Sequence, residues 1–361
     1  MQKVFQYIKS KPIVILLLAV PLAIFSEYLH WGELAVFILA ALAVVPLASY
    51  IGESTEELAH YTGPRLGGLL NATLGNAAEL IITIVAIRQG LLELVKASIT
   101  GSILGNLLLV LGMAMLLGGI RNGAQTFDRR QASNNSVLLI LSVLMLLVPS
   151  LFSAAIGPER SLRVEALSLG AAAVMIVIYV LGLIFSYRMP HSAVAPEIPL
   201  NSVPTQPRWS VTTSLIVLGL STVGVAYLSE ILVGAVEPVV EAFGISEFFI
   251  GVIFIPIIGN VAEHLVAVQV AVRNKMTLSV EIAVASSLQI ALFVAPVLVF
   301  VSLLMGNPLT LVFNEFELVA LIAGVLIAAL VSADGESNWL EGAELMAIYL
   351  ILGLAFFLLP M

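Results

Sequence analysis

The chain has no cysteine, only four histidines, and charged side chains at just 11% of its 361 residues. Without thiols there are no disulfides, no thiolate metal sites and no cysteine nucleophile, so any chemistry rests on oxygen and imidazole. The zinc-helix spacing His-Glu-x-x-His is also absent, which argues against a metal-dependent intramembrane hydrolase and against enzymatic activity in general. The shortage of charge decides the class. With 60% hydrophobic residues, a mean hydropathy of +1.10 and charges gathered between apolar runs, the sequence reads as an integral membrane protein of helical type. A net charge of −8 makes nucleic acid an unsuitable partner, since nucleic acid binds to basic surfaces.

Apolar runs of about twenty residues, the length that crosses a bilayer as a helix, fall near 13–30, 34–51, 66–88, 94–118, 134–153, 164–187, 211–234, 247–271, 278–304, 316–333 and 340–359. The expected fold is therefore all-α with eleven transmembrane helices. Lys3, Lys9 and Lys11 resemble the basic start of a signal peptide. Another span follows almost at once and no small-residue cleavage site stands out, so the first run is expected to be retained. The positive-inside rule sets the orientation. An N-terminus in the cytoplasm places Lys3, Lys9, Lys11, Arg65, Arg121, Arg129, Arg130, Arg188, Arg208, Arg273 and Lys275 inside, against Arg88, Lys96, Arg160 and Arg163 outside. The expected location is the cell (inner or plasma) membrane.

A repeat lies within these spans. Gly75-Asn76-Ala77-Ala78-Glu79, in the middle of an apolar run, recurs as Gly259-Asn260-Val261-Ala262-Glu263, and the same offset of 184 carries Ser102 onto Ser286 and Gly105 onto Gln289. Setting the first span aside leaves two sets of five. Five is odd, so the second set enters the membrane from the opposite side, as in transporters with inverted repeats. The expected organisation is a leading helix (1–31), a first five-helix repeat (32–188), a cytoplasmic linker (189–209) and a second five-helix repeat (210–361).

A carboxylate in hydrocarbon is costly, about 2.5 to 3.5 kcal/mol on insertion scales, and is a functional candidate by default. Asparagine three residues before glutamate shares its helix face. Gly75, Pro256 and Gly259 are expected to interrupt the third and eighth spans and free backbone carbonyls. Ser102, Asn106, Ser286 and Gln289 follow on the next span of each repeat, either as ligands or as interhelical hydrogen bonds. Two carboxylates among neutral oxygens suit calcium, a hard cation with six to eight oxygen ligands. The same carboxyls can hold protons when the metal leaves, because burial and like-charge proximity favour the neutral form.

Gly75-Asn-Ala-Ala-Glu79-Leu-Ile, preceded by Gly67-Gly-Leu-Leu-Asn-Ala-Thr, together with Gly259-Asn-Val-Ala-Glu263-His and Ser286-Ser-Leu-Gln289-Ile-Ala-Leu-Phe-Val-Ala-Pro296, resembles the Ca²⁺/H⁺ antiporters of the CAX family in the calcium/cation antiporter superfamily. The resemblance covers both repeats and extends to Thr55-Glu56-Glu57-Leu58-Ala59 and Val236-Glu237-Pro238. It implies one leading helix plus two inverted five-helix repeats. It also implies exchange of cytoplasmic Ca²⁺ for external H⁺, with Glu79 and Glu263 as the metal- and proton-exchanging carboxylates and Asn76, Asn260, Ser102 and Gln289 beside them. No cofactor is implied, Ca²⁺ being the cargo; the partners are Ca²⁺, H⁺ and lipid, and a homo-oligomer is left open. The acidic stretch that relatives carry between the halves is reduced here to Glu197.

Other polar residues have bland and functional readings. Glu56, Glu57 and Glu237 end or follow spans, where they form either cation-attracting vestibules or solvated helix ends; Glu53, Glu230 and Glu241 fall in the same category. His264 follows a central glutamate, but consecutive helix residues point about 100° apart, which favours packing over ligation. Asp334, Glu336, Glu341 and Glu344 read as a solvated cytoplasmic loop. The alternatives to proton-coupled antiport are a Na⁺-coupled calcium exchanger of the same superfamily and, in a different class, a passive cation channel.

Overall fold

The computed structural model describes residues 12–159, 161–188 and 207–359. Lys3, Lys9, Lys11, Arg160 and most of the expected linker, with Glu197, lie outside them. The described chain is almost entirely helical. A 3₁₀ stretch, Pro12–Leu18, leads into α1 (Ala19–Tyr28), and then come α2 (Glu33–Thr62), α3 (Pro64–Leu74), α4 (Ala77–Gln89), α5 (Leu92–Leu104) and α6 (Leu111–Asn122). Strand β1 (Gln125–Thr126), α7 (Arg129–Ile156) and α8 (Leu162–Arg188) complete the first half. The second half contains α9 (Val211–Gly234), α10 (Val236–Phe243), α11 (Glu247–Phe249), α12 (Ile255–Val272), α13 (Met276–Gln289), α14 (Ala295–Leu304), α15 (Glu315–Val331), β2 (Glu336–Ser337) and α16 (Trp339–Phe357).

Eight helical stretches among the described residues are long and apolar enough to cross a bilayer: Glu33–Thr62, Leu92–Asn122, Arg129–Ile156, Leu162–Phe185, Val211–Phe243, Glu247–Val272, Met276–Leu304 and Trp339–Phe357. The other three apolar runs take different forms. The leading run is a shorter helix, Ile13–Tyr28, and α15 has 17 residues. The third run is broken into α3 and α4 by a two-residue turn at Gly75-Asn76.

Burial separates core from periphery. The windows in Leu92–Asn122 and Met276–Leu304 are 72% and 67% buried, against 22% for Leu162–Phe185 and Trp339–Phe357. The first two are therefore the central pillars, one from each half. The outer helices turn Leu141, Leu151, Phe152, Val177, Leu181, Leu220 and Val223 outward, an apolar surface suited to lipid tails.

Loops on each face come from opposite halves. On one face β1 pairs antiparallel with β2, Gln125 opposite Ser337, and Gln125 Nε2 donates to Ala271 O and Asn274 Oδ1, both at 2.9 Å. On the other face Glu159 accepts from Thr310 Oγ1 at 2.8 Å, and Asn307 Nδ2 donates to Ile87 O at 2.9 Å. The turn after α2 and the segment entering α9 share the first face, through Arg208 and Glu57. We call these the Gly63 face and the Gly90 face.

The halves meet at glycines. A Cβ on Gly101 of α5 would collide with the Val252 carbonyl, and one on Gly251 would sit 2.6 Å from Ala97 Cβ and 2.8 Å from Leu94 O. Small residues let these two backbones touch, the usual means of holding helices together in lipid. Three wide π turns break the regular ladder, at Gly105–Val110, Ile250–Phe254 and Ile290–Val294. The last two each end two residues before a proline, Pro256 and Pro296. A proline cannot donate to the carbonyl four residues earlier and its ring crowds that carbonyl, which widens the turn before it.

The expected interruption of the eighth span at Gly259 is thus corrected. Helix α12 runs regularly through Gly259 and Asn260, and the irregular turn lies upstream, before Pro256. In the first half the break does fall at the Gly-Asn pair.

Gly101→Leu is expected to destabilise the protein by at least the 1–3 kcal/mol typical of overpacking, and Gly170→Ala, where no atom lies within 4 Å of the added carbon, to leave it unchanged or slightly more stable. Thermal unfolding of the detergent-solubilised variants checks both.

Candidate functional site

Four elements converge where the two halves cross: the start of α4, the middle of α12, and the last turn of α5 and of α13. Asn76 is the N-cap residue of α4, with non-helical φ −90° and ψ 12°, and this places Glu79 in the first turn. The Glu79 side chain is 1% exposed. It accepts a hydrogen bond from Ser102 Oγ of α5 and one from Asn260 Nδ2 of α12 at 3.4 Å. The same amide lies 3.5 Å from Ser102 Oγ, so Glu79, Ser102 and Asn260 form one contact group spanning both halves. Glu263 on α12 accepts from Ser286 Oγ of α13 at 2.5 Å. The glutamate-to-serine separation is 23 residues in both halves.

The glycines show how closely each carboxyl-bearing side chain approaches the opposite half. An added Cβ on Gly75 would lie 3.1 Å from Glu263 Oε1, and one on Gly259 would lie 3.5 Å from Glu79 Cβ. Each Gly-Asn pair thus packs against the glutamate of the opposite half: an added carbon at Gly75 would crowd Glu263, and one at Gly259 would make ordinary contact with Glu79.

The hydrogen bonds of the site depart from two-fold symmetry at Gln289. Gln289 stands where the first half has Gly105, and its Oε1 takes the Asn76 amide at 2.7 Å. Asn76 is therefore bonded to Gln289, whereas Asn260 bonds to Glu79 and Ser102. Among the described residues no three His, Asp or Glu side chains gather to hold a metal. The converging set is two carboxyls with neutral amide and hydroxyl groups.

Access is also asymmetric. Glu263 is half-buried, as are Asn71, Thr73 and Gly75 toward the Gly63 face. Toward the Gly90 face the next turns are buried: Ile82, Thr83, Ala86 and Ile87 on α4, and Leu94, Val95 and Ser98 on α5. The packing partners differ in the same sense. Gly251 presses against α5, whereas Gly67, its counterpart at the offset of 184, meets Ala59 of the preceding α2. The conformation is sealed at the Gly90 face and partly open at the Gly63 face.

The remaining candidates lie apart. His264 is buried, with no hydrogen bond to either carboxyl among the described residues. Asn106 is buried in the π turn after Ser102, and its Nδ2 finds no acceptor among the described residues. Glu57 is buried and accepts from Arg208 N at 2.8 Å, Arg208 Nε at 3.1 Å and Trp209 N at 3.3 Å, tying the entry of α9 to the end of α2. Glu56, at the Gly63 face, is half-buried; Glu237, at the Gly90 face, is exposed. Glu230 pairs with Arg88. Asp334, Glu336 and Glu344 are exposed, as read from sequence, while Glu341 caps α16 by accepting from Asn338 N at 3.2 Å.

Sequence reasoning passed over a second buried polar group near the Gly90 face. Lys96, counted in the sequence only toward the orientation, is 4% exposed, and Glu317, 0% exposed, accepts from Thr100 Oγ1 at 3.0 Å. Their signal was a charge inside an apolar run, the same signal that singled out Glu79.

The sodium/calcium exchanger protein family matches residues 32–188 and again residues 213–358. The chain belongs to this family. Among its relatives, the Ca²⁺/H⁺ antiporter of Aphanothece halophytica is 47% identical over 363 residues, covering 96% of both chains. The Ca²⁺/H⁺ antiporter ChaA of Bacillus subtilis is 46% identical, over 94% of this chain and 97% of its own. The solved structure of native YfkE superposes with a TM-score of 0.84 at 43% identity, covering 96% of this chain and 100% of that one. One match of the exchanger family falls in each half, and each contains one Gly-Asn-x-x-Glu segment.

If the Asn76–Gln289 contact joins the halves, Asn76→Ala and Gln289→Ala are expected to be non-additive in a double-mutant cycle, with a coupling of about 1 kcal/mol for a neutral hydrogen bond. Thermal unfolding of the two single variants and the double variant measures it.

Proposed function

We propose that this chain is a secondary antiporter exchanging Ca²⁺ for H⁺ by alternating access, with Glu79 and Glu263 as the groups that both ions share. The observation that carries the reading is the pair of glutamates from matching positions of the two halves, each facing a glycine of the other and each held by a serine 23 residues later. Relatives that align over nearly the whole chain and are named Ca²⁺/H⁺ antiporters support it.

The chemistry follows from charge. Two carboxylates neutralise one divalent cation, and the Asn76, Asn260, Ser102, Ser286 and Gln289 side chains supply neutral oxygens for a cation that takes six to eight. Magnesium resists dehydration and softer metals prefer nitrogen or sulfur, so this donor set favours calcium. When calcium leaves, protons neutralise the same oxygens. The empty, doubly charged site does not turn over, because bare carboxylates moving past an apolar barrier carry a large desolvation penalty. Exchange then needs no coupling device beyond competition for one site.

The distribution of basic residues supports a cytoplasmic Gly63 face, with Arg121, Arg129, Arg130, Arg208, Arg273 and Lys275 on that side. The partly open site therefore faces the calcium to be exported, and external protons enter from the Gly90 face. Glu56 at one mouth and Glu237 at the other raise the local cation concentration.

Proteoliposomes with a calcium indicator test the reading. An imposed pH gradient is expected to drive calcium movement, a sodium gradient alone is not, and Glu79→Gln or Glu263→Gln is expected to abolish it with the folded fraction unchanged. Calcium flux driven equally by sodium alone would replace this reading with the sodium-coupled one, and full exchange by either variant would remove that carboxyl from the mechanism.

A further inference from the structure

A buried charge outside the central site is Lys96, one turn into α5 at the sealed Gly90 face. Its ammonium group donates to Glu159 Oε1 at 3.0 Å and to the Val312 carbonyl at 3.0 Å, and it pairs with Glu93 Oε1 at 2.6 Å. Three partners match the three N–H bonds of an ammonium group. They come from three separate segments: Glu93 from the start of α5, Glu159 from the turn between α7 and α8, and Val312 from the loop between α14 and α15 of the other half. Glu159 is held from that same loop by Thr310 Oγ1 at 2.8 Å.

Around this point the face is closed by contacts between the halves. Glu247, at the start of α11, accepts the Leu94 backbone N–H at 2.9 Å, and Gly251 lies against Leu94 and Ala97 one turn further in. A cavity of about 480 Å³ lies outside the cluster, lined in part by Glu93, Glu159, Glu165, Glu247 and Lys96. Inside it Ser98, fully buried and without a hydrogen-bond partner among the described residues, lies one helical turn from Ser102, which holds Glu79. On the Gly63 face the loops of the two halves meet through the backbone pairing of β1 with β2 rather than through buried charges. The offset of 184 carries Lys96 onto Val280, so the ionic cluster has no counterpart there.

We propose that the Lys96 cluster is the latch that holds the Gly90 face shut, and that its Glu159 and Val312 bonds must part before the site opens to that side. The inference rests on the alternating-access reading above. Parting the latch leaves a buried ammonium short of two partners until water from the cavity replaces them, and buried charges without partners are unfavourable. The sealed state is therefore favoured while the cluster is intact.

The test exploits the absence of native cysteine. A single Ser98→Cys replacement, nearly isosteric, is placed in the otherwise unchanged chain in vesicles, and a membrane-impermeant maleimide is added from the Gly90 side. Reactivity is expected to be low in this background and to rise roughly tenfold with Lys96→Met or Glu159→Gln, the shift in an opening equilibrium when one charge-assisted hydrogen bond is lost. Lys96→Arg, which keeps the charge and donors, is expected to hold it low. Unchanged reactivity in folded Lys96→Met and Glu159→Gln proteins would overturn the latch and leave Lys96 a static ion pair. Should Lys96→Met not fold, Glu159→Gln and Thr310→Val decide by the same reading. Labelling does not depend on which ion is carried. A wild-type chain without proton-driven calcium flux would therefore sink the antiporter reading separately.

Discussion

The constraint on which this structure depends is the penalty for a bare carboxylate in an apolar interior. Glu79 and Glu263 sit where lipid-facing helices exclude water on most sides, and each is given a serine hydroxyl; Asn260 serves Glu79 from the opposite half. These donors are too few and too neutral to balance two negative charges, so a cation or protons must complete the site. The glycines opposite the carboxyls, the close crossing of Gly101 and Gly251 and the burial of α5 and α13 all serve to bring two distant segments into that space. Fold and proposed activity follow from the same electrostatic demand.

Much of this was legible in the sequence because charge in hydrocarbon is conspicuous. Glu79 and Glu263 stood out in apolar runs, and the offset of 184 carried their asparagines and serines with them. The same reasoning named Gly259 beside Pro256 as an interruption of the second half, and at Gly259 it failed. Glycine has two separate uses, freeing the backbone and removing a side chain, and only packing tells them apart: the backbone stays regular through Gly259, which packs directly against Glu79. The wide turn before Pro256 falls where that proline was expected to interrupt the span, and the one before Pro296 follows from the same proline chemistry. The one at Gly105–Val110 has no proline, only a glycine at its start. Lys96 carried the right signal but was used only in the charge count that sets orientation, because a lysine within a few residues of a span's end ordinarily reaches water.

Departures from symmetry reveal the conformational state. The repeat is inverted, so equivalent segments face opposite sides of the membrane, and any difference between them is a difference between the two faces. Gly251 is docked on α5 while Gly67 packs within its own half; Glu79 is buried while Glu263 is half-buried. One sequence difference adds to this. Gln289 in place of a second glycine draws Asn76 to itself, so the two carboxyls have different donors even though their helices are related by the repeat. Alternating access is then an exchange of these two environments between the halves.

The claim that one pair of carboxyls carries both ions is tested most directly by proton release on calcium binding. Purified protein in lightly buffered detergent is titrated with CaCl₂ while a pH indicator is followed, across about pH 5 to 9, a range that brackets the titration of buried carboxyls. The account predicts net proton release with each calcium bound, tighter apparent calcium binding as pH rises, and neither effect in the Glu79→Gln, Glu263→Gln double variant. Calcium binding without proton release, at an apparent Kd independent of pH, would contradict it.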